Sequence, residues 1–240
     1  MSANLTFYTN RYCPWASRAH IALQELGLEF KEEFVDLTKP RTEEYLKINP
    51  RGLVPALQYK DTILIESGII TQFLADLPGN SKSILPAPTT PEACLFRARL
   101  TLFVDTFISK VGSQLYQIML NSKDEAEKET KIANALEAIK KDIVPMLEIK
   151  DAEKPNGPFF GGSEEFTLAE VNCASFLIRI YKLGQEKHGL IPASFVKGLE
   201  QIEVFNNWAQ ACIKRESVSS IFDEEANVAR WNEKIAAQKL

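Results

Sequence analysis

The residue in this chain best suited to covalent chemistry is Cys13, which lies between a strand pattern and a helix pattern. Leu5–Thr9 is rich in aromatic and β-branched residues, which is typical of a strand. From Ala16 onward apolar residues recur at helical spacing until Gly27, and Pro14 suits the first turn of a helix. Unpaired N–H groups at a helix start favour a thiolate, so we predict that the pKa of Cys13 lies below its ordinary value of about 8.5.

A thiolate at this position predicts nucleophilic chemistry that needs a second, external thiol. Ala16 stands where the second cysteine of a Cys-x-x-Cys pair would be, so an internal dithiol cycle is disfavoured. A mixed disulfide on Cys13 would be resolved by an outside thiol, for which glutathione is the obvious candidate. The competing interpretation is an inert buried cysteine, but strand, Cys-Pro pair and helix agree in favouring the reactive one.

Two further stretches carry groups that can bind an extended, charged ligand. Val54 and Pro55 precede an apolar strand, and a cis bond between them would turn the Val54 N–H and C=O outward. The alternative is an ordinary trans proline in a loop. Glu66 and Ser67 open a predicted helix, where backbone N–H groups can bind a carboxylate and Glu66 can accept from an ammonium. A Glu-Ser pair alone is more often a simple helix cap.

The patterns that position these residues divide the chain into two domains. Residues 1–79 show strands and helices in the order βαβ-α-ββ-α, which predicts a thioredoxin-like α/β domain. A proline-rich linker spans residues 80–91. Residues 92–240 show helical patterns alone, so the predicted fold class is α/β followed by an all-helical bundle.

In the helical half one start signal is especially clear. Thr167 and Glu170 form a predicted capping box that opens an almost wholly apolar helix over 168–183. Such a helix is expected at the centre of its bundle. The other helical patterns cover residues 95–120, 125–147, 195–213 and 227–238.

Composition narrows the classes of function. With 45% hydrophobic and 25% charged residues among 240, the chain is typical of a soluble globular protein. Its net charge of −4 gives no reason to expect nucleic acid as a partner. The four cysteines lack metal or disulfide spacing, and neither a secretory pattern nor an apolar run of about 18 residues is present. We therefore expect a cytoplasmic protein without a metal and without a stable membrane span.

Taken in chain order, the motifs resemble those of the cytosolic glutathione transferases. They are residues 12–16 (Tyr-Cys-Pro-Trp-Ala), the Asn-Pro-Arg-Gly-Leu-Val-Pro-Ala-Leu segment at 49–57, the Glu66-Ser67 pair and the Thr167 capping box. The Cys-Pro-aromatic-Ala sequence is similar to that of the omega class, including fungal omega-like enzymes. The resemblance spans essentially the whole chain. It implies the glutathione transferase fold, glutathione as cosubstrate, a detoxification role and a homodimer.

The resemblance also implies roles for the residues that bind glutathione. Cys13 would form a mixed disulfide with glutathione. Val54, before an expected cis Pro55, would pair its backbone with the cysteinyl part of glutathione. Glu66 and Ser67 would hold the γ-glutamyl ammonium and carboxylate.

Two other parts of the implied site are less sharply defined. A basic residue meets the glycyl carboxylate, and both Lys39 and Arg41 are candidates, with Lys39 preferred; a solvated surface charge is the alternative for either. Trp15 belongs to the glutathione site and also to the wall of an acceptor pocket between the domains. The other candidates for that wall are aromatic residues that are equally well explained as core residues: Phe107, Tyr116 and Trp231.

The leading functional hypothesis from the resemblance is glutathione-dependent thiol transfer, including deglutathionylation and reduction of the dehydroascorbate type. Its substrates would be small hydrophobic or glutathionylated compounds, and Cys13 would carry the mixed disulfide. A second hypothesis is conjugation of glutathione to electrophiles with Cys13 nearly silent. A third is a non-enzymatic binding or channel module of the same fold.

Overall fold

The structure is a computed structural model that describes residues 5–80, 82–151 and 156–237. The predicted domain ends at residues 1–4 and 238–240, and residue 81 of the predicted linker, lie outside the described residues.

Within these ranges the N-terminal domain contains four strands and three helices in the predicted order. They are β1 (Leu5–Thr9), α1 (Pro14–Glu25), β2 (Lys31–Phe34), α2 (Glu43–Ile48), β3 (Ala56–Tyr59), β4 (Thr62–Ile65) and α3 (Ser67–Asp76). The sheet order is β2-β1-β3-β4, with β1 parallel to β2 and β3 antiparallel to β1 and β4. This confirms the thioredoxin-like domain predicted from the sequence.

The C-terminal domain is helical, with no strand among its described residues. Its helices are α4 (Pro91–Phe107), α5 (Gln114–Leu120), α6 (Glu125–Ala138), α7 (Val144–Glu148), α8 (Leu168–Leu183), α9 (Ala193–Glu200), α10 (Glu203–Lys214), α11 (Glu216–Ser219) and α12 (Glu224–Ala237). The all-helical second domain is thereby confirmed.

Several helices are interrupted where the sequence predicts continuous ones. π-helical turns at Ile108–Gly112 and Ile139–Ile143 join α4 to α5 and α6 to α7. Each π turn accommodates wider i→i+5 hydrogen bonds, which the apolar pattern does not reveal. The predicted helix over 195–213 is two helices, because the chain turns at Ile202, whose N–H bonds back to the Leu199 carbonyl.

Helix α8 lies at the centre of the bundle, as its apolar sequence predicts. Every residue of α8 except Lys182 is buried, and the helix packs against α1, α3, α4 and α10. Its capping box is present, with the Glu170 carboxylate accepting from the Thr167 N–H at 2.9 Å. Because α1 and α3 rest on α8, this helix sets the positions of the two helix starts that carry the predicted site.

Candidate functional site

Cys13 occupies the N-cap of α1, where the sequence places it. Asn10 builds the preceding turn: its side-chain amide donates to the Val35 carbonyl at 2.9 Å, and its own carbonyl accepts from the Cys13 N–H at 3.0 Å. The half-buried sulfur lies 3.8 Å from the carbonyl oxygen of Val54, to which the thiol donates. The thiol therefore faces the loop that precedes β3.

Cys13 opens onto a cleft of about 380 Å³ that runs from the start of α1 to the start of α3. Most of the site residues predicted from the sequence line it: Cys13, Trp15, Arg41, Val54, Pro55, Glu66 and Ser67. The rest of the lining consists of Leu37, Asn49, Arg51, Gly52 and Leu53. The fold thus brings the separate sequence motifs together around one thiol.

The loop before β3 offers backbone groups to this cleft. The Val54–Pro55 peptide bond is cis, as the resemblance implied. The Val54 carbonyl accepts from the Cys13 thiol, while the Val54 N–H has no hydrogen-bond partner among the described residues. An unpaired N–H in a cleft wall can pair with the carbonyl of an extended ligand.

The start of α3 forms the opposite end of the cleft. Glu66 has φ 70°, a left-handed conformation that costs a non-glycine residue on the order of 1–3 kcal/mol and recurs at binding sites. Its carboxylate pairs with Arg51 and caps no N–H of α3. Ser67 is buried, and its hydroxyl accepts from Arg18 at 2.9 Å. The first N–H groups of α3 therefore stay available for an anion.

The two basic candidates for the glycyl carboxylate lie in different places. Lys39 has a side chain that is 79% exposed, lies 3.8 Å from Asp36 and does not line the cleft. Arg41 lines the cleft and donates to the carbonyls of Gly52 at 3.0 Å and Asp36 at 2.6 Å. Sequence reasoning did not propose Arg51 as a site residue, although Arg51 also lines the cleft; its place inside the 49–57 segment was the available signal.

Among the predicted acceptor-pocket residues, the prediction for Phe107 is wrong. Its side chain is fully buried and packs on Phe103 and Trp208, with ring centroids 6.5 and 5.8 Å away. The apolar face of α4 turns Phe107 into the core of the helical domain, so its ring cannot line a pocket.

The other aromatic candidates form two contacts. Trp15 is half-buried and packs edge-on against Phe176 at 5.0 Å. Tyr116 contacts Trp231 at 5.2 Å, and the Lys234 ammonium lies over both rings at 5.3 and 5.2 Å. Trp231 is itself buried, so Tyr116 and Lys234 are the members of this group with exposed surface.

Burial raises the pKa of the Cys13 thiol above its ordinary value and outweighs the groups that favour the thiolate. Those groups are the N–H of Ala16, the N–H of Trp15 and the positive charges of Arg179 and Lys234. The sequence-based prediction of a lowered pKa is therefore wrong in sign. The helix start acts in the predicted direction, but the loss of solvent around the sulfur is the larger effect.

Two further properties of the described residues bear on function. Among the described residues, no group of three or more His, Cys, Asp or Glu side chains is arranged to hold a metal ion. None of the described helices combines the length and apolar character that crossing a membrane requires.

Comparison with known proteins gives consistent matches. A family model described as "Glutathione S-transferase, N-terminal domain" matches residues 12–77. Over 217 residues the chain is 30% identical to glutathione S-transferase U28 of Arabidopsis thaliana, which covers 90% of this chain and 87% of that protein.

Solved structures agree along nearly the whole chain. Glutathione transferase Omega 1C from Trametes versicolor superposes with a TM-score of 0.73 at 26% identity, over 98% of each chain. The rice protein OsGSTU1, solved in complex with glutathione, superposes with a TM-score of 0.76 over 99% of this chain and 98% of that one. At 22% identity, the rice match shows likeness of fold alone.

Proposed function

Because the chain belongs to the glutathione S-transferase family, we propose that it transfers glutathione between sulfur atoms through a mixed disulfide on Cys13. The observation that supports this most is the position of the Cys13 sulfur, 3.8 Å from the Val54 carbonyl oxygen, in the same cleft that the open start of α3 lines. Ala16 leaves Cys13 without a resolving cysteine in its own motif, so a second glutathione takes that role.

Glutathione fits the cleft in an extended form in this proposal. The Val54 N–H pairs with the cysteinyl carbonyl, and this brings the glutathione sulfur to Cys13. Ser67 and the first N–H groups of α3 hold the γ-glutamyl carboxylate, and Glu66 accepts from its ammonium. We assign the glycyl carboxylate to Arg41, because Arg41 lines the cleft whereas Lys39 does not.

Thiol transfer then proceeds in two exchanges. The Cys13 thiolate attacks the glutathione sulfur of a glutathionylated substrate; a Cys13–glutathione S–S bond forms as the original S–S bond breaks, and the substrate thiolate leaves and takes a proton from solvent. A second glutathione thiolate attacks the glutathione sulfur on Cys13. Glutathione disulfide forms, the Cys13 thiolate is released, and the substrate has been reduced by two electrons.

The subclass and setting belong to the same proposal. The Cys-Pro-Trp-Ala sequence and the likeness to the Omega 1C protein support an omega-like enzyme. We place it in the cytoplasm as a homodimer that acts on glutathionylated or small hydrophobic substrates. Reduction of the dehydroascorbate type is a further reaction, in which the Cys13 thiol and one glutathione supply two electrons and two protons and leave a Cys13–glutathione disulfide, which a second glutathione then resolves.

One observation favours a second candidate function, the conjugation of glutathione to electrophiles. Burial raises the pKa of Cys13, and its thiol donates to the Val54 carbonyl, so the protonated form is well accommodated. In conjugation the glutathione thiolate is the nucleophile, and Cys13 acts as a hydrogen-bond donor only.

Replacing Cys13 by Ser separates these functions. For thiol transfer, with cysteine–glutathione mixed disulfide and glutathione as substrates, we expect Cys13→Ser to lower the rate by at least about 10³-fold, because no sulfur nucleophile remains. Conjugation of a chloronitrobenzene should persist or rise, since a hydroxyl still donates a hydrogen bond. Cys94→Ser, at an exposed cysteine outside the cleft, is the matched control and should keep both activities.

The same assays contradict the proposal in defined ways. Thiol transfer that survives in Cys13→Ser would remove the mixed disulfide from the mechanism. Wild-type protein that binds glutathione in calorimetry but catalyses neither reaction would be a non-enzymatic binding module.

A further inference from the structure

Arg179, in the middle of α8, is a buried cation without an acidic partner. Its side chain is fully enclosed in the domain interface, with 1% of the residue exposed. It forms no ion pair with any residue that the structure describes. Because an unpaired buried charge is strongly destabilising, buried arginines usually face a carboxylate. The guanidinium lies over the Phe222 ring at 5.4 Å from its centroid, but a ring carries no net charge, so Arg179 still has no anionic counterpart among these contacts.

The hydrogen bonds of Arg179 lead to the turn that carries Cys13. One guanidinium nitrogen donates to the Arg11 carbonyl at 3.0 Å and to the Ser17 hydroxyl oxygen at 3.2 Å. The Ser17 hydroxyl in turn donates to the Cys13 carbonyl at 3.1 Å. The other terminal nitrogen donates to the Ser175 carbonyl of α8 at 2.8 Å, which anchors the group. Arg179 thus holds the chain on both sides of Cys13.

The charged and titratable groups that act on the Cys13 sulfur come from several elements. The cations are Arg179 of α8 and Lys234 of α12, and both favour the thiolate. The phenols of Tyr45 and Tyr116 also interact with the sulfur. No carboxylate in the described part of the chain acts on Cys13. Lys234 is exposed and screened by water, whereas Arg179 is buried, so Arg179 is the less screened of the two cations.

We propose that Arg179 is a positioning residue for Cys13: it fixes the turn that presents the thiol and is the buried counter-charge of the thiolate. The Nε–H of Arg179 has no hydrogen-bond partner within the described residues, so hydrogen bonding alone leaves the guanidinium incompletely satisfied. The catalytic consequence rests on the proposed function. The effect on the thiol itself requires no substrate and can be measured separately.

Arg18 provides a matched comparison. It is also buried, forms no ion pair in the described part of the chain, and bridges the two domains. Burial lowers the pKa of each arginine to about 10. The donors of Arg18 reach Asn172 at 2.8 Å and Ser67 at 2.9 Å, and none of them reaches the turn of Cys13. We therefore expect Arg18 to affect glutathione binding through Ser67, and Arg179 to affect the acidity of Cys13.

The decisive measurement is the pH dependence of Cys13 alkylation by iodoacetamide, followed by mass spectrometry of the Cys13 peptide in the full chain. We expect Arg179→Gln to raise the midpoint by about one pH unit, which leaves about tenfold less thiolate at neutral pH. Arg179→Lys keeps the charge and should keep the thiolate fraction within about threefold of wild type. Arg18→Gln should leave the midpoint in place and raise the KM for glutathione.

The outcomes are separable. An unchanged alkylation midpoint in folded Arg179→Gln, or an equal shift in Arg18→Gln, would overturn the proposed role of Arg179 as the counter-charge of the Cys13 thiolate. If Arg179→Gln does not fold, Ser17→Ala tests the positioning contact with the cation intact. It should lower the limiting alkylation rate of Cys13 by about fivefold, the effect of one ordinary hydrogen bond, and a wild-type rate would overturn the positioning role. If wild type transfers no glutathione, the proposed function fails while these readings still decide the role of Arg179.

Discussion

Helix α8 begins with a closed cap, whereas α1 and α3, whose starts face the cleft, begin with open ones. At α8 the side chains of Thr167 and Glu170 complete a capping box. The N-caps of α1 and α3 are Cys13 and Glu66, and neither side chain makes a hydrogen bond to its own helix. Since the first N–H groups of a helix need partners, the closed cap holds the fold and the open caps leave donors for a ligand.

The two kinds of helix start also differ in where their polar side chains find partners. The Glu170 carboxylate is fully buried and accepts from Phe160, Thr167 and Trp208 within its own domain. Cys13 instead contacts the loop across the cleft, and Glu66 turns its carboxylate to the cleft wall. Stability should therefore depend on the first kind of start, and binding and chemistry on the second.

The largest effect on the free energy of unfolding should follow from removing the capping box of α8. Glu170→Ala leaves several buried donors without an acceptor, so we expect the free energy of unfolding to fall by about 3–5 kcal/mol. Urea unfolding followed by circular dichroism measures this change. Glu164→Ala, an exposed glutamate just before the same helix start, is the control and should stay within about 0.5 kcal/mol of wild type. A loss below about 1 kcal/mol in Glu170→Ala would remove the distinction between the two kinds of start.

The next largest effect concerns the open start of α3. Glu66→Gly removes the carboxylate that accepts from the ligand ammonium, so we expect the KM for glutathione to rise about 10- to 100-fold. Because Gly adopts positive φ without strain, stability should stay level or rise by up to about 1 kcal/mol.

Glu66→Ala is the matched partner of this variant, since it loses the same carboxylate and keeps the strain. It should show the same rise in KM without the gain in stability, as measured by enzyme kinetics and urea unfolding. Destabilisation by Glu66→Gly would instead show that this start, like that of α8, supports the fold.

The pKa of Cys13 tests whether the N–H groups at the start of α1 are enough to stabilise a thiolate when the sulfur is buried. Burial favours the neutral thiol and raises the pKa of Cys13, so the thiolate forms only at higher pH. We expect the alkylation rate of Cys13 to rise about tenfold between pH 7.5 and 8.5 without levelling off. Free glutathione alkylated in parallel is the control. A plateau below about pH 8 would mean that the helix start outweighs burial.

The sequence predicted the elements around the site because local signals define them. Pro14 marks the first turn of α1, the Thr167 capping box marks α8, and the 49–57 segment marks the loop that lines the cleft. Each signal spans a few residues, so neighbours along the chain are enough to reveal it. The order of strands and helices along the chain and the helical second domain follow from the same local patterns, whereas the order of the strands within the sheet was not predicted.

The features of the site that sequence reasoning missed depend either on contacts between residues far apart in the chain or on how deeply a side chain is buried. Arg179 contacts Arg11 and Ser17, which lie 168 and 162 positions away, so no spacing rule connects them. Phe107 is an apolar residue on an amphipathic helix, and only packing decides whether such a ring meets the core or a pocket. The pKa of Cys13 depends on how deeply the sulfur is buried, which the strand-to-helix pattern does not encode.

The smallest effect should come from the ion pairs at the start of α12, which lie at the surface and add to a side-chain cap in which Asp223 accepts from the Ala226 N–H at 2.9 Å. Glu224 in the first turn of α12 contacts Lys182, Lys187 and His188 at 3.3, 2.8 and 2.9 Å. Hydrogen bonds from Lys187 and His188, together with Lys182, lower the pKa of Glu224 to about 2. A carboxylate whose pKa is lowered by folding stabilises the folded state at pH values above its unfolded-state pKa of about 4.5. That contribution is lost as the pH falls from about 4.5 toward 2.

We therefore expect Glu224→Gln to lower the free energy of unfolding by only about 0.5–1 kcal/mol at pH 7, because water screens exposed pairs. Urea unfolding should show the difference from wild type shrinking as pH falls below about 4.5. Glu225→Gln, at an exposed neighbour without an ion pair among the described residues, is the control. A loss as large as that of Glu170→Ala, or one that persists at low pH, would show that α12 is held as α8 is. A small, pH-dependent loss would instead show that surface ion pairs fasten α12, and with it Lys234, far less firmly than the closed cap fastens α8.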